Sequence, residues 1–207
     1  MLNESMLTVV IQAGGESRRM GEDKALRLFL GQPLIARVLS RVESLADELL
    51  VVTNRPAAYA FLNCALVADV LPGRGALGGL YTALSVASHA AVAVIGCDMP
   101  FVSAALLKRQ YELLCAEGVD AVVPRTPNGW EPLHAVYHRA TCQPAVYAAL
   151  EAGTWRISDW LETIRLHTPD MAEVRQYDPQ QRAFCNVNTP EEFAQAERWA
   201  AAGDEDK

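Results

Sequence analysis

Short runs of buried-type residues alternate along the chain with segments that have helical periodicity. β-Branched and aliphatic residues typical of internal strands fill residues 8–11, 48–53 and 91–97. Residues 33–45 place apolar side chains three and four positions apart, which predicts an amphipathic helix that begins at Pro33. This alternation predicts an α/β fold, a Rossmann-like three-layer domain around a mostly parallel, doubly wound sheet.

The other elements are predicted from shorter patterns and from capping residues. Ser103 and Gly118 are suited to the two ends of one long helix. The remaining strands are predicted near residues 65–67, 120–124, 131–137, 174–177 and 184–187. The remaining helices are predicted through residues 59–62, up to residue 88, and over 139–152, 158–165 and 190–202.

No repeat, low-complexity stretch or linker divides the 207 residues. We therefore expect one domain over residues 1–207. Residues 1–6 and 203–207 are expected to be flexible, because the chain ends in a short, highly charged segment.

Composition limits the classes of function. The chain is 51% hydrophobic, which suffices for a sizeable core, and its formal net charge of −7 argues against binding nucleic acid through a broad basic face. Five scattered cysteines without a Cys-x-x-Cys pair make a disulfide framework or a structural zinc site a poor fit. We also find no signal-peptide pattern and no span-length apolar segment, so we expect a cytoplasmic protein without membrane association.

A glycine-rich basic loop follows the first predicted strand. Gly14 and Gly15 allow a sharp turn with exposed N–H groups, and Arg18, Arg19 and Lys24 place positive charge beside it. An ordinary turn on a basic surface is the alternative interpretation. The combination of strand, paired glycines and cations favours a phosphate-binding site.

Asp98 directly follows the strongly apolar strand at residues 91–97, so a carboxylate lies at the end of a buried strand. Ligands of open α/β sheets bind outside the carboxyl ends of the strands, and Mg²⁺ takes one or two protein oxygens together with phosphate and water. The alternative is that Asp98 caps the following helix, but Ser103 already suits that role. We therefore predict that Asp98 binds Mg²⁺.

Residues 73–78 match G-x-G-x-x-G literally, and Asp98 follows about twenty residues later, as in dinucleotide-binding folds. Pro72 separates this run from its strand, however, and the stronger phosphate loop is the first one in the chain. An NAD-binding oxidoreductase is therefore the weakest alternative, and we expect the run to let a helix approach a base or sugar.

The sequence offers no nucleophilic triad, because the histidines are isolated and no serine or cysteine lies in a strand-to-helix elbow. His134 lies in an apolar strand and is expected in the core, whereas Glu131 is a candidate for facing the cleft. Trp130 follows Asn128-Gly129 in a loop and is a candidate stacking surface.

The motif at residues 12–24, Gln-Ala-Gly-Gly-Glu-Ser-Arg-Arg-Met-Gly-Glu-Asp-Lys, resembles the signature of nucleotidyltransferases. Its Gly-Gly and its final Asp-Lys are similar to those of the molybdenum cofactor guanylyltransferases, which make molybdopterin guanine dinucleotide from GTP and molybdopterin. Gln12 stands where that family has leucine, and Ala76 where proline is common. The similarity spans nearly the whole chain and continues at residues 53–55, 69, 75–79, 97–100, 131–133 and 186–192.

The resemblance implies the nucleotide-diphospho-sugar transferase type of fold and assigns a role to each matching position. The implied catalytic residues are Lys24, Asp98 and Arg19, and Mg²⁺ would bind Asp98. The implied nucleotide-binding residues are Gln12, Ala13, Gly14, Gly15, Lys24, Asn54, Asp69 and Asp98, and those on the molybdopterin side are Asn186 and Asn188.

The implied reaction is Mg²⁺-dependent transfer of GMP from GTP to the phosphate of molybdopterin, with release of pyrophosphate. The acceptor phosphate is already anionic, so no general base is needed, in agreement with the missing triad. Implied partners are proteins of molybdenum insertion and molybdoenzyme maturation. Two alternatives stay open, a molybdopterin cytidylyltransferase and a non-catalytic GTP-binding accessory protein.

Overall fold

The computed structural model describes residues 6–13 and 23–203. Within these ranges, no helix has both the length and the apolar character that crossing a bilayer requires. The described chain forms a central mixed sheet covered by helices on both faces, which confirms the predicted α/β class.

The central sheet has seven strands in the described part of the chain. The strand β10 (His134–His138) runs antiparallel to both of its neighbours, whereas the other pairings are parallel. Two small hairpins lie outside it, β2 (Leu28–Phe29) with β3 (Gln32–Pro33) and β8 (Arg125–Thr126) with β9 (Gly129–Trp130). In spatial order the sheet contains β11 (Leu166–His167), β7 (Ala121–Val122), β10 (His134–His138), β6 (Ala91–Gly96), β1 (Leu7–Gln12), β4 (Glu48–Val52) and β5 (Ala65–Val67).

The helices of the described chain connect these strands. They are α1 (Leu34–Val42), α2 (Gly75–Val86), α3 (Ala104–Glu117), α4 (Arg139–Glu151), α5 (Ile157–Leu161), α6 (Met171–Tyr177) and α7 (Pro190–Ala201), with short 3₁₀ turns at Lys24–Leu26, Glu43–Leu45 and Pro56–Tyr59.

Both faces of the central strands are buried, and side chains alternate between them with the strand period of two. Val10 packs with Leu80 and Leu84 of α2 on one face, whereas Ile11 packs with Ile35 of α1 on the other. All five side chains are fully buried. Burying each of them contributes roughly 1.5–3 kcal/mol, so the two apolar layers hold the sheet between the helices.

Most predicted elements are present within a few residues of their expected ends. Ser103 caps α3 by accepting the N–H of Leu106 at 3.1 Å, and Gly118 ends that helix with φ +63°. Pro190 is the first residue of α7, where the hydroxyl of Thr189 and the carboxylate of Glu192 form a capping box. Local capping chemistry was therefore a sound guide to these helix ends.

Two predicted strands near the C-terminus were wrong. Residues 174–177 belong to α6, whose first turn is capped by Asp170 through the N–H groups of Ala172 and Glu173. Val174 is β-branched but faces inward against Leu106, so packing decides its conformation rather than β-propensity. Residues 184–187 form an irregular segment, and the strand predicted over 131–137 begins only at His134.

His134 is fully buried, as predicted for a core histidine. Its Nε2 accepts the N–H of Ser103 at 3.3 Å, its ring meets Phe184 edge-on at 5.2 Å, and its Nδ1 has no hydrogen-bond partner. Burial lowers the pKa of His134 from 6.5 to about 4, because the charged ring would lose its hydration. The folded protein therefore keeps this histidine neutral at pH values where the unfolded chain protonates it.

We predict that the lower pKa of His134 in the folded protein makes the folded state less stable as the pH falls from about 7 to about 4. The unfolded chain binds the extra proton in this window, so the cost grows to about 3 kcal/mol for this group. His134→Gln cannot titrate, and its free energy of unfolding should decline less steeply than that of the wild type. Urea unfolding at several pH values measures both slopes, and His138→Gln on the same strand controls for the loss of one histidine. Equal slopes for the wild type and His134→Gln would contradict the prediction.

Candidate active site

The carboxyl ends of the parallel strands meet at one edge of the sheet. Gln12, the last residue of β1, lies opposite Val52 of β4 and Gly96 of β6. The backbone hydrogen bonding between these strands continues one residue further. The N–H of Ala13 donates to the carbonyl of Val52 at 2.9 Å, and the N–H of Cys97 donates to the carbonyl of Gln12 at 3.2 Å. The chain passes from β1 to β4 and β5 on one side and then returns to β6 on the other. Such a switch point forms a cleft for ligands.

Lys24, Asp98 and Asn188 meet at this edge although they are far apart in sequence. The ammonium group of Lys24 donates to the Oδ1 atom of Asn188 at 2.8 Å. The backbone carbonyl of Asp98 accepts the N–H of Val187 at 3.0 Å, which holds the segment before α7 against the end of β6. The structure therefore brings together residues predicted for the nucleotide, the metal and the molybdopterin side.

The Asp98 carboxylate lies in a half-buried position against the backbone of Gly96, where an added Cβ would come within 2.8 Å of its Oδ1 atom. Burial raises the pKa of Asp98, and the nearby charge of Lys24 partly offsets that rise. A carboxylate that has lost hydration is better stabilised by an added cation.

The donor set around Asp98 suits a metal ion that arrives with phosphates. Within the described ranges, no group of three or more His, Cys, Asp or Glu side chains is arranged to hold a metal ion. Mg²⁺ is commonly bound through one or two carboxylates, with phosphate oxygens and water completing its shell. Asp98 therefore fits the predicted role for a nucleotide-bound Mg²⁺, but not for a metal held by the protein alone.

Asp23 organises the residues around Lys24, a role that the sequence did not reveal. Its carboxylate caps the 3₁₀ turn by accepting the N–H of Ala25 at 3.1 Å, and it accepts the hydroxyl of Tyr59 at 2.6 Å. It also pairs with Arg55. Tyr59 is fully buried, and burial, followed by the Asp23 carboxylate, raises the pKa of its hydroxyl. The position of Asp23 before Lys24 was visible in the motif, but its two distant partners were not.

Asn54 and Asp69 lie together beyond the ends of β4 and β5. The Oδ1 atom of Asn54 accepts the N–H of Asp69 at 3.0 Å. Asp69 in turn accepts the N–H of Leu71 at 3.2 Å and the hydroxyl of Thr82 at 2.5 Å, which connects this corner to α2. One oxygen of Asp69 thus supports the fold, and the predicted nucleotide contacts of both residues stay predictions.

Gln12 lies beside α2 rather than free at the end of its strand. Its Oε1 atom would be 2.7 Å from a Cβ added at Gly79, so the close approach of strand and helix depends on that glycine. Its Nε2 atom is buried without a hydrogen-bond partner. Gly79 directly follows the glycine run at residues 73–78, whose predicted approach to a base or sugar stays a prediction.

Several predicted residues cannot be placed in this arrangement. Gly14, Gly15 and Arg19 lie outside the described residues, as does Arg18. Asn186 is half-buried and directly precedes Val187, whose N–H donates to the carbonyl of Asp98. The contact between Asn186 and the acceptor stays a prediction.

A separate cavity of about 550 Å³ lies between the start of α3 and the end of α6. Its lining includes Arg41, Ser103 and Tyr177 and none of the predicted site residues. We therefore place the candidate active site at the sheet edge and assign no role to this cavity.

Comparisons with known proteins show which family the chain is similar to. The family model described as MobA-like NTP transferase domain matches residues 9–167. The molybdenum cofactor guanylyltransferase of Desulfosudis oleivorans is 36% identical over 198 residues, which cover 95% of this chain and 97% of that protein. The probable molybdenum cofactor guanylyltransferase of Natranaerobius thermophilus is 32% identical over 197 residues, covering 93% and 96%.

A solved structure shows the same architecture. The crystal structure of molybdopterin-guanine dinucleotide biosynthesis protein A from Archaeoglobus fulgidus superposes with a TM-score of 0.83 at 26% identity, covering 94% of this chain and 99% of that one. The resemblance and the nucleotidyltransferase fold predicted from the sequence are thereby confirmed. The chain belongs to the MobA-like NTP transferase family, and it is a nucleotidyltransferase similar over nearly its whole length to molybdenum cofactor guanylyltransferases.

Proposed function

We propose that this protein transfers GMP from GTP to the phosphate of molybdopterin, forming molybdopterin guanine dinucleotide and releasing pyrophosphate. The observation that carries the proposal is the contact between Lys24 and Asn188 beside Asp98. This contact joins the predicted nucleotide side to the predicted acceptor side at the point where the carboxylate predicted to bind Mg²⁺ lies. Names of relatives that match more than nine-tenths of the chain support the same activity.

The bond changes require charge neutralisation rather than proton abstraction. An oxygen of the acceptor phosphate attacks the α-phosphorus of GTP. The bond between that phosphorus and the oxygen that bridges it to the β-phosphate breaks. The electron pair leaves with pyrophosphate, so no proton transfer is needed at the attacking atom. Negative charge accumulates on the α-phosphate and the leaving group, and cations positioned there lower the barrier.

Residues of this chain would supply that positioning. Lys24, held by the Asp23 turn and by Asn188, would neutralise phosphate charge, and Arg19 with Gly14 and Gly15 would complete the phosphate loop. When bound, Mg²⁺ would supply Lewis-acid neutralisation of the phosphates, with Asp98 as its protein ligand.

The nucleotide side of the cleft would lie above β1, β4 and β5. Gln12 ends β1, and Ala13, Asn54 and Asp69 follow β1, β4 and β5. We propose that these four residues bind the nucleoside part of GTP. All five cysteines are free thiols, which supports a reducing compartment such as the cytoplasm. There the product would pass to proteins of molybdenum insertion and molybdoenzyme maturation.

We predict that Asp98→Ala lowers turnover by a hundredfold or more, on the order of the loss seen when one transition-state stabilising group is removed. Pyrophosphate release from GTP in the presence of Mg²⁺ and molybdopterin measures the effect, with CTP as the comparison donor. The variant should fold normally, because the Asp98 carboxylate makes no side-chain hydrogen bond to another residue within the described ranges. Asp159→Ala on α5 controls for loss of an acidic side chain. Retention of most activity by Asp98→Ala would overturn the metal assignment, and faster release from CTP would favour a cytidylyltransferase.

We predict that Asp23→Ala lowers kcat/KM for GTP about tenfold, because Lys24 loses the cap and the side chains that fix its position. Asp23→Asn keeps a capping group but not the charge that pairs with Arg55, so kcat/KM should fall less in this variant. Steady-state kinetics on both variants, with Tyr59→Phe to isolate the buried hydroxyl, provide the measurement. Wild-type kcat/KM in Asp23→Ala would show that Lys24 does not depend on this turn.

A further inference from the structure

The β8–β9 hairpin lies at the edge of the sheet that carries Asp98. β6 and β7 both run antiparallel to β10, so the end of β7 and the start of β10 lie at the same edge as the end of β6. The N–H of Gly96 donates to the carbonyl of Leu133 at 3.0 Å, which brings the segment before β10 next to the Asp98 turn. The hairpin connects β7 to this segment, on the opposite side of Asp98 from β4 and β5.

Glu131 lies at the base of this hairpin in a defined position. Its N–H donates to the carbonyl of Pro124 at 3.0 Å, and its Oε1 atom accepts the hydroxyl of Thr126 at 3.0 Å. Thr126 is held in turn by the N–H of Asn128, which donates to its hydroxyl oxygen at 3.1 Å. The carboxylate is therefore oriented by its neighbours rather than free to rotate in solvent.

Arg125 and Trp130 contact each other on the two strands of the hairpin. The guanidinium of Arg125 lies 4.9 Å from the centre of the Trp130 ring, and Trp130 packs against the apolar layer beneath α2 and α4. The predicted stacking face of Trp130 is thus covered by the guanidinium. Arg125 itself is exposed, and a guanidinium supported on an aromatic ring offers a flat cationic surface on which a heterocycle can stack.

The Glu131 carboxylate has unused hydrogen-bonding capacity. It is half-buried, and among the described residues Thr126 is the one side chain that donates to it. An ionised carboxylate has about four acceptor positions. Burial raises the pKa of Glu131 despite the Thr126 hydroxyl, in line with a carboxylate short of donors. A ligand with two adjacent N–H groups would satisfy it.

A 2-amino-4-oxopyrimidine ring presents two such donors, its 2-amino group and the neighbouring ring N–H, in the spacing of a bidentate carboxylate contact. Guanine and pterin both contain this ring, so both proposed substrates match the chemistry. The predicted nucleotide residues Gln12, Asn54 and Asp69 lie on the other side of Asp98, which leaves the hairpin side to the acceptor. We propose, on the basis of the proposed function, that Glu131 recognises the pterin ring of the acceptor.

The decisive experiment compares two ligands that differ at the 2-position. Fluorescence titration measures binding of 6-hydroxymethylpterin and of 6-hydroxymethyllumazine, which has an oxo group in place of the 2-amino group. We expect the wild type to prefer the pterin about tenfold or more, the size of one charge-assisted hydrogen bond. Glu131→Gln should abolish or reverse this preference, whereas Glu112→Gln on α3 should retain it. No preference in the wild type, or an unchanged preference in Glu131→Gln, would overturn the proposal.

A second arm tests whether Glu131 reads guanine instead. Calorimetry compares binding of GTP and of ITP, which lacks the 2-amino group, in the wild type and in Glu131→Gln. We expect the GTP-to-ITP ratio of affinities to be the same in both proteins. A change in this ratio with an unchanged pterin-to-lumazine ratio would assign Glu131 to the nucleotide and overturn the proposal.

Two further controls keep the result interpretable. If Glu131→Gln does not fold, Thr126→Val takes its place; it removes the hydroxyl that orients Glu131 and should weaken pterin binding several-fold with GTP binding unchanged. Wild-type protein that prefers pterin but forms no dinucleotide from GTP and molybdopterin would overturn the proposed function alone. Dinucleotide formation with an unchanged KM for molybdopterin in Glu131→Gln would overturn the role of Glu131 alone.

Discussion

The parallel pairing of β1 with β4 and β6 is the constraint on which the candidate site depends. Val10 and Ile11 are buried on opposite faces of the sheet, so a slip of one residue would exchange the two apolar layers and is strongly disfavoured. This register places Gln12 opposite Gly96 and so fixes where Asp98, two residues after Gly96, lies relative to the end of β1. Each loop that carries a predicted ligand contact begins from this common edge.

Charge balance at the edge depends on chain segments that meet only after folding. Burial disfavours the ionised form of Asp98, and the ammonium group of Lys24 compensates for part of that cost. Lys24 is itself held from two directions, by the turn that Asp23 caps and by Asn188, 164 residues further along the chain. The backbone bond from Val187 to Asp98 closes the arrangement. The candidate site therefore results from three separate segments rather than from one motif.

The antiparallel strand β10 gives the cleft a second half with different chemistry. The first half, above β1, β4 and β5, has close approaches of backbone and small residues, such as Gly79 beside Gln12. The second half has a hairpin with an oriented carboxylate and an exposed guanidinium, from Glu131 and Arg125. Asp98 lies between the two halves, where the proposed reaction would bring its two substrates together.

The sequence by itself determined the alternation of strands and helices, the capped ends of α3 and α7, the acidic residue after β6 and the family, because these depend on local periodicity and short motifs. It misjudged residues 174–177, where burial of Val174 against Leu106 outweighs β-propensity. Only the tertiary structure decided the partners of Asp23 and the contact between Lys24 and Asn188. These contacts join residues far apart in sequence, and their distances follow from strand register and helix packing, which no local pattern encodes.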